Sequence, residues 1–240
     1  SRQSRGLGDV YKRQVKTMLR EHRPESHIHV GMNNPNDTFY CDVIHCKNLP
    51  DTFFGEVLER LNTLSPYKKI WEEISSLRTA FHKKFISKIP FCDLKVFSIL
   101  ESRISSKYSV QVSNSSAIRY MQLFEQTPSS TMFCNRGTSG IDGSTSTAVG
   151  ASVSLKSPTL LITGDLSFFY DSNGLWNDYI KNTFRIIVIN NSGGGIFKIL
   201  PGYRDDLFHE KFIETRHSFS AKYLAKMHGF KYSKVSGSIG

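Results

Sequence analysis

Residues 186–197 read IIVINNSGGGIF, and this stretch decides the fold. Ile186, Ile187, Val188 and Ile189 are successive β-branched apolar residues, which favour a strand that is apolar on both faces. Such a run suits a parallel sheet covered from both sides. It passes directly into two amides, Asn190 and Asn191, then Ser192 and three glycines, Gly193 to Gly195, and turns apolar again at Ile196 and Phe197. Glycines at a strand end allow main chain to approach a bulky group with no Cβ in the way.

Working outward from this stretch, YSVQVS (108–113), TMFCN (131–135), PTLLITG (158–164) and FRIIVIN (184–190) read as strands. Between and around them lie helical patterns. CDLKVFSILESRI (92–104) has Asp93 as N-cap and Val96, Ile99, Leu100 and Ile104 along one face. NSSAIRYMQLF (114–124), the small-residue segment GSTSTAVGASVSL (143–155) and SFSAKYLAKMHGF (218–230), closing at Gly229, complete the set. Strands alternating with helices of this length predict an α/β fold: a parallel sheet with helices on both faces.

The region before it is less regular. ESHIHV (25–30) and TFYCDVIH (38–45) read as strands, and DTFFGEVLERLNTL (51–64) as a helix with Asp51 as N-cap. SLRTAFHKKFISKIP (76–90) reads as a connector containing a helix. Residues 15–85 and 86–240 are therefore expected to be separate domains. The terminal SKVSGSIG stops where a further loop or strand is due, so the sheet is expected to be cut short there. The opening SRQSRGLGDVYKRQ (1–14) has almost no apolar periodicity and reads as translated adapter or vector sequence.

Composition excludes several classes. No apolar run reaches the roughly 18 residues of a membrane span, and no secretory core opens the chain. Cys41, Cys46, Cys92 and Cys134 are few and irregularly spaced, so the expectation is reduced, mostly buried thiols in a cytoplasmic protein. No spacing among His27, His29, His45, Cys41 and Cys46 matches a structural zinc pattern. The formal charge is +10, of which residues 1–14 supply +3. The remainder is scattered in pairs such as Lys68-Lys69, without an arginine stripe, and reads as a solvated basic face rather than a nucleic-acid track.

Ligands of open parallel sheets sit at the C-terminal ends of strands. Two strand ends here are chemically loaded: LLITGDLS delivers Asp165, Leu166 and Ser167, and IIVINNSGGG delivers Asn190, Asn191 and the glycines. A carboxylate, an amide oxygen and a backbone carbonyl are the hard oxygen ligands that Mg²⁺ accepts, with phosphate oxygens completing its shell. Taken singly, each feature has a plainer reading: Asp165 as a cap or turn former, SGGGIF as a tight turn. The glycines do not form a dinucleotide fingerprint.

GDLS, with Asn191 standing 26 positions after Asp165, resembles the signature of the thiamine-diphosphate-dependent enzymes. With SNSSAIRY, NRGTSGIDGSTSTAVG, GDLSFFYDSNGL and NNSGGGIFKILP it is similar to the family of 2-succinyl-5-enolpyruvyl-6-hydroxy-3-cyclohexene-1-carboxylate (SEPHCHC) synthases of menaquinone biosynthesis. The resemblance is dense over 108–205.

It implies a thiamine-diphosphate-binding fold whose diphosphate domain is residues 86–240, preceded by the C-terminal part of a central α/β domain. The implied cofactors are thiamine diphosphate and Mg²⁺ or Mn²⁺. Asp165, Asn191 and the carbonyl of Gly193 would hold the metal, and Leu166, Ser167 and Ile141 would contact the cofactor. Ile141 matches the bulky residue wedged beneath it. Arg119 and Arg136 match arginines that grip substrate carboxylates, a task suited to a planar guanidinium. Ser115 matches a polar substrate contact, and Phe197 would help wall off the reacting centre.

The implied reaction decarboxylates 2-oxoglutarate on thiamine diphosphate and adds the succinyl carbanion equivalent to isochorismate. No nucleic-acid or membrane partner is expected. The family also implies a homodimer or homotetramer, and an N-terminal pyrimidine-binding domain whose activating glutamate has no match in this chain. The chain alone is accordingly expected to be inactive. The alternatives are another thiamine-diphosphate enzyme, of acetolactate synthase or 2-oxoacid decarboxylase type, and a non-catalytic basic binding module.

Overall fold

Strands separated by a dozen or more residues can pair in parallel, because the connection has length enough to return to the starting end. All the strand pairs here are parallel, with connections of about this length or longer. The computed structural model describes residues 13–61, 66–124, 131–200 and 202–237. Residues 1–12 of the stretch read as adapter sequence, residues 62–64 of the helix expected over 51–64, and the last three residues lie outside the described residues. The chain divides into two units between Arg78 and Thr79.

In the N-terminal unit, α1 (Arg13–Glu21) precedes β1 (Ser26–Val30) and β2 (Asp42–Cys46), a parallel pair in register from Ser26↔Asp42 to Val30↔Cys46. The second strand starts four residues later than the pattern suggests. Tyr40 has φ +58, which a strand does not tolerate, and Thr38 and Phe39 turn inward to become buried. Arg20 donates from Nε to the carbonyl of Thr38 at 2.9 Å, and its guanidinium lies 4.8 Å from the Tyr40 ring centroid. In α2 (Pro50–Arg60) the N-cap is Leu49, not Asp51. Pro50 takes the first helical position, where its missing N–H costs nothing, and Asp51 falls in the first turn. The division between the units lies within α3 (Tyr67–Lys88), a longer helix than the expected connector.

The second unit runs α4 (Asp93–Arg103), β3 (Ser109–Val112), α5 (Ser116–Met121), β4 (Thr131–Cys134), α6 (Ser144–Ser154), β5 (Thr159–Gly164), α7 (Asp165–Tyr170), β6 (Arg185–Ile189) and α8 (Ala221–Met227). Here Asp93 is the first helical residue and Cys92, not Asp93, the N-cap. The four strands form one parallel sheet in the order β4-β3-β5-β6. Apolar residues leave it on both sides, as the all-apolar strands require. Val110, Val112, Leu160 and Ile162 pack with Phe97 of α4 and Ala117, Ile118 and Met121 of α5. Leu161 points the other way, into Ala148 and Val149 of α6, Phe168 of α7, Leu175, Phe184 and Ala221. The alternating residues of β6 divide likewise, Ile187 and Ile189 to the first cluster and Ile186 and Val188 to the second.

The small residues of α6 allow close approach. Ser144, Thr145, Ala148 and Ser152 are buried, and a Cβ on Gly174 would lie 2.7–3.0 Å from atoms of Ser146, two of them backbone. Buried Asp171 caps this helix from outside, accepting from Ser146 N at 2.7 Å and from the Ser146 hydroxyl.

The four cysteines are free thiols. Contrary to expectation none is fully buried: Cys92 is exposed and the other three are partly so. Among the described residues no helix is long and apolar enough to cross a membrane.

Leu161 is fully buried at the centre of the sheet. Leu161→Ala should destabilise the chain by about 2–5 kcal/mol in urea titrations, whereas Leu58→Ala, at a position 70% exposed, should change stability by less than about 0.5 kcal/mol.

Candidate functional site

The strand order creates one place where the loops part. From β3 the chain moves outward to β4, then returns across β3 to build β5 and β6 on the other side. The tips of β3 and β5 thus form a topological switch point, the position at which open α/β sheets bind ligands. Ser113, Asn114 and Ser115 leave the first tip, and Gly164 and Asp165 leave the second. The two are tied by Gly164 N, which donates to Ser113 Oγ at 3.3 Å. Ser115 has φ +76 and ψ −136, a conformation costly for a residue with a Cβ, and it delays the start of α5 to Ser116.

A loop from β4 to α6 lies against this crevice. Asn114 Nδ2 donates to the Gly140 carbonyl at 3.1 Å, and the buried Ser167 hydroxyl donates to the carbonyl of Ile141. Ile141 is half-buried, held between the β3 tip and α7. Gly143, at φ +73, turns the chain into α6. Arg136 begins the loop, half-buried, and Arg119 sits exposed on α5. Among the described residues neither guanidinium is paired with a carboxylate. Burial pushes the Cys134 thiol up, and the positive charge of Arg136 pulls it partly back.

The Asp165 carboxylate is buried at the tip of β5. Its Oδ1 accepts from Leu166 N at 2.7 Å and its Oδ2 from Gly193 N at 3.1 Å; His217 Nε2 lies 3.2 Å from Oδ2 without forming a hydrogen bond. Asp165 and Asn191 follow adjacent strands, Gly164 pairing with Ile189 in the ladder. The side chain of Asn191 is exposed, and its Nδ2 donates to Asp93 Oδ2 at 2.7 Å, leaving Oδ1 as its free polar atom. The structure therefore brings Asp165 to Gly193, and Ile141 to Ser167. Arg136 and Ser115 stand on the neighbouring loops, and Arg119 on α5.

The glycine gap is filled in part by the protein itself. A Cβ on Gly193, which has φ +150, would lie 2.9 Å from the carbonyl oxygen of Glu214 and 3.4 Å from Arg216 Cα. Gly194 N donates to that same carbonyl at 2.6 Å, and His217 N donates to the Ser192 carbonyl at 3.2 Å. The main chain of 214–217 is thus strapped across the glycines. Phe197, in the 3₁₀ turn Gly195–Ile199, folds its ring back so that a Cβ on Gly194 would touch it at 2.9 Å.

Asp93, which accepts from Asn191, and His217, which lies beside Asp165, contact the candidate site and were missed by sequence reasoning. TRHSF carries no pattern around the histidine, and Asp93 reads as an ordinary helix-start residue.

These features define a parallel α/β unit that carries a buried carboxylate, Asp165, at the tip of one of its strands. No protein-family model matches the chain. It is 46% identical over 229 residues to a 2-succinyl-5-enolpyruvyl-6-hydroxy-3-cyclohexene-1-carboxylate synthase of Flavobacterium psychrophilum, covering 95% of this chain and 42% of the relative. Synthases of the same name from Flavobacterium johnsoniae (46% over 229 residues, 95% of this chain, 41% of the relative) and Porphyromonas gingivalis (36% over 240 residues, 95% and 41%) are also similar. The chain is homologous to SEPHCHC synthases over nearly all its length, and it spans about two-fifths of the length of the curated relatives it matches.

Two measurements check this geometry. Gly193→Ala should cost about 1–3 kcal/mol in stability, while Gly195→Ala, whose Cβ would come no closer than 3.4 Å to another side chain, should cost clearly less. The thiolate is the form that alkylates, so Arg136→Ala should raise the Cys134 pKa further, move its iodoacetamide rate profile to higher pH and slow the reaction at fixed pH.

Proposed function

We propose that this chain is the diphosphate- and metal-binding portion of a SEPHCHC synthase of menaquinone biosynthesis, a thiamine-diphosphate-dependent transferase. The observation that carries the reading is the buried carboxylate of Asp165 at the β5 tip. It accepts one backbone N–H on each oxygen, one of them from the glycine loop, and keeps lone pairs unused, on the strand neighbouring that of Asn191.

The donors suit the implied groups. Asp165 Oδ1, Asn191 Oδ1 and the Gly193 carbonyl are hard oxygens, matched to Mg²⁺ or Mn²⁺ rather than to a thiolate-seeking metal. When bound, thiamine diphosphate would supply the electron sink for decarboxylating 2-oxoglutarate and joining the remaining four-carbon unit to isochorismate. The protein's own contribution is placement and charge. Ile141 would support the cofactor from a loop pinned by Asn114 and Ser167, with Leu166 and Ser167 beside the diphosphate. Arg119 and Arg136, unpaired here, would take carboxylates of the two anionic substrates, with Ser115 as a polar contact and Phe197 as a wall. In this reading residues 86–240 form the diphosphate domain, residues 15–85 belong to a central domain, and the whole enzyme is a homodimer or homotetramer.

Differential scanning fluorimetry tests the proposal. Thiamine diphosphate should raise the melting temperature of this chain only when Mg²⁺ or Mn²⁺ is present, and Asp165→Ala should abolish the shift. A variant that keeps the full cation-dependent shift overturns the assignment.

A further inference from the structure

We infer that Asp93 is a positioning residue for the cation site: it holds the amide nitrogen of Asn191 and so leaves the amide oxygen, Oδ1, as the end offered to a divalent ion. The inference rests on the metal role proposed above for Asn191 and deepens it.

An asparagine side chain has two unlike ends of nearly equal size. Its oxygen ligates hard cations, and its NH₂ group, a donor, does not. Nothing in the covalent structure of Asn191 decides which end faces the site, so a neighbour must. Asn191 Nδ2 donates to Asp93 Oδ2 at 2.7 Å. An ionised carboxylate only accepts, so it binds the nitrogen and repels the oxygen. A half-turn of the amide would replace a charge-assisted hydrogen bond by two facing oxygens.

The adjacent asparagine provides a contrast within the same loop. Asn190 Nδ2 donates to the Phe219 carbonyl at 3.0 Å, and its Oδ1 accepts from Ser192 N at 3.2 Å, so both of its ends are engaged. Asn191 has only its nitrogen engaged, by Asp93. Of the two amides, the one that Asp93 holds is therefore the one with an oxygen to offer.

Asp93 is placed by the core rather than by the loop it serves. It opens α4, whose Phe97, one turn further on, is fully buried in the cluster that Ile187 and Ile189 of β6 join. Lys95 donates from Nζ to the Ile86 carbonyl at 2.9 Å, which ties the start of α4 to the end of the preceding helix. The carboxylate thus comes from an element packed against the very strand that ends in Asn191. A partner that orients a ligand governs affinity without touching the ion, and loss of such a partner typically weakens metal binding about 10–100-fold.

The test is Mn²⁺ titration of the full 240-residue chain at saturating thiamine diphosphate, with the free ion followed by electron paramagnetic resonance. Asp93→Ala removes the acceptor, Asp93→Glu restores one, and Asp165→Ala removes a proposed ligand. We expect Mn²⁺ affinity about 10–100-fold weaker in Asp93→Ala and largely recovered in Asp93→Glu. The ratio of parent to Asp93→Ala affinities should persist at about 0.5 M salt, where a mere field effect of the lost charge is screened. In ¹H–¹⁵N spectra recorded without cation, one side-chain amide proton of Asn191 should be shifted downfield in the parent and not in Asp93→Ala.

If Asp93→Ala binds Mn²⁺ as tightly as the parent, or more tightly, the carboxylate is a bystander or a competitor of the ion, and the inference is overturned. Equal weakness in Asp93→Ala and Asp93→Glu, a ratio that vanishes at high salt, or an Asn191 amide signal unchanged by Asp93→Ala overturns it as well. Failure of the underlying metal assignment looks different: Asp165→Ala binds like the parent, or the parent binds no Mn²⁺, and the inference falls with it.

Discussion

The buried carboxylate of Asp165 is the interaction on which this end of the molecule depends. An unpaired carboxylate so thoroughly removed from water would be very costly, and backbone donors from two separate segments offset that cost. Leu166 N–H comes from the helix that Asp165 itself begins and Gly193 N–H from the loop after the neighbouring strand, while the His217 ring of the strap beyond lies 3.2 Å away without a hydrogen bond. Hydrogen bonds to a charged acceptor contribute about 1.5–3 kcal/mol each, so together these outweigh any single apolar contact nearby. One side chain thereby ties the β5–α7 junction to the glycine loop, and backbone hydrogen bonds from Gly194 N to the Glu214 carbonyl and from His217 N to the Ser192 carbonyl tie the 214–217 segment to the same loop.

That arrangement changes the meaning of the three glycines. A side-chain-free gap at a strand end announces that something bulky comes close, and the local pattern says nothing of what. Here main chain from Glu214 to Arg216 comes close to Gly193 and Gly194, and the ring of Phe197 covers the latter. Gly195 is less crowded, with Asn191 Nδ2 as the nearest atom. The loop is thus shaped first by its own strap, which orients Gly193 N–H toward Asp165, and any anion meets a surface already formed.

Much of this was legible in the sequence, and the limits have physical causes. The four strands of the second unit lie within a residue or so of where β-branched runs placed them, since period and composition are local properties. The parallel sheet covered on two faces followed from strands apolar on both sides. Helix starts were misplaced by a residue or two, because Pro50 and Cys92 settle them through backbone geometry and not through a side-chain cap. The strand expected from Thr38 failed at Tyr40, where a left-handed residue interrupts an otherwise suitable run. Asp165 and Asn191 stood out because they end strands. Asp93, which holds Asn191 from 98 residues away, and His217 did not, since a long-range hydrogen bond leaves no periodic trace.

Backbone strain follows the same geography. Ser115, Ser139, Ser192 and Thr215 are the described non-glycine residues of the second unit with positive φ, and all lie in the loops that leave the strand tips or in the strap across them. Each such conformation costs on the order of 1–3 kcal/mol and persists only where surrounding bonds over-determine it. Those bonds are present: Ser113 to Gly164, Asn114 to Gly140, Ser192 to His217. Stability alone would favour relaxing these turns, and the opposite end of the sheet carries no such cost among the described residues. Strain confined to the face that bears Asp165, Asn191 and the two unpaired arginines is what a rigid seat for a ligand requires, because the shape must exist before the ligand arrives.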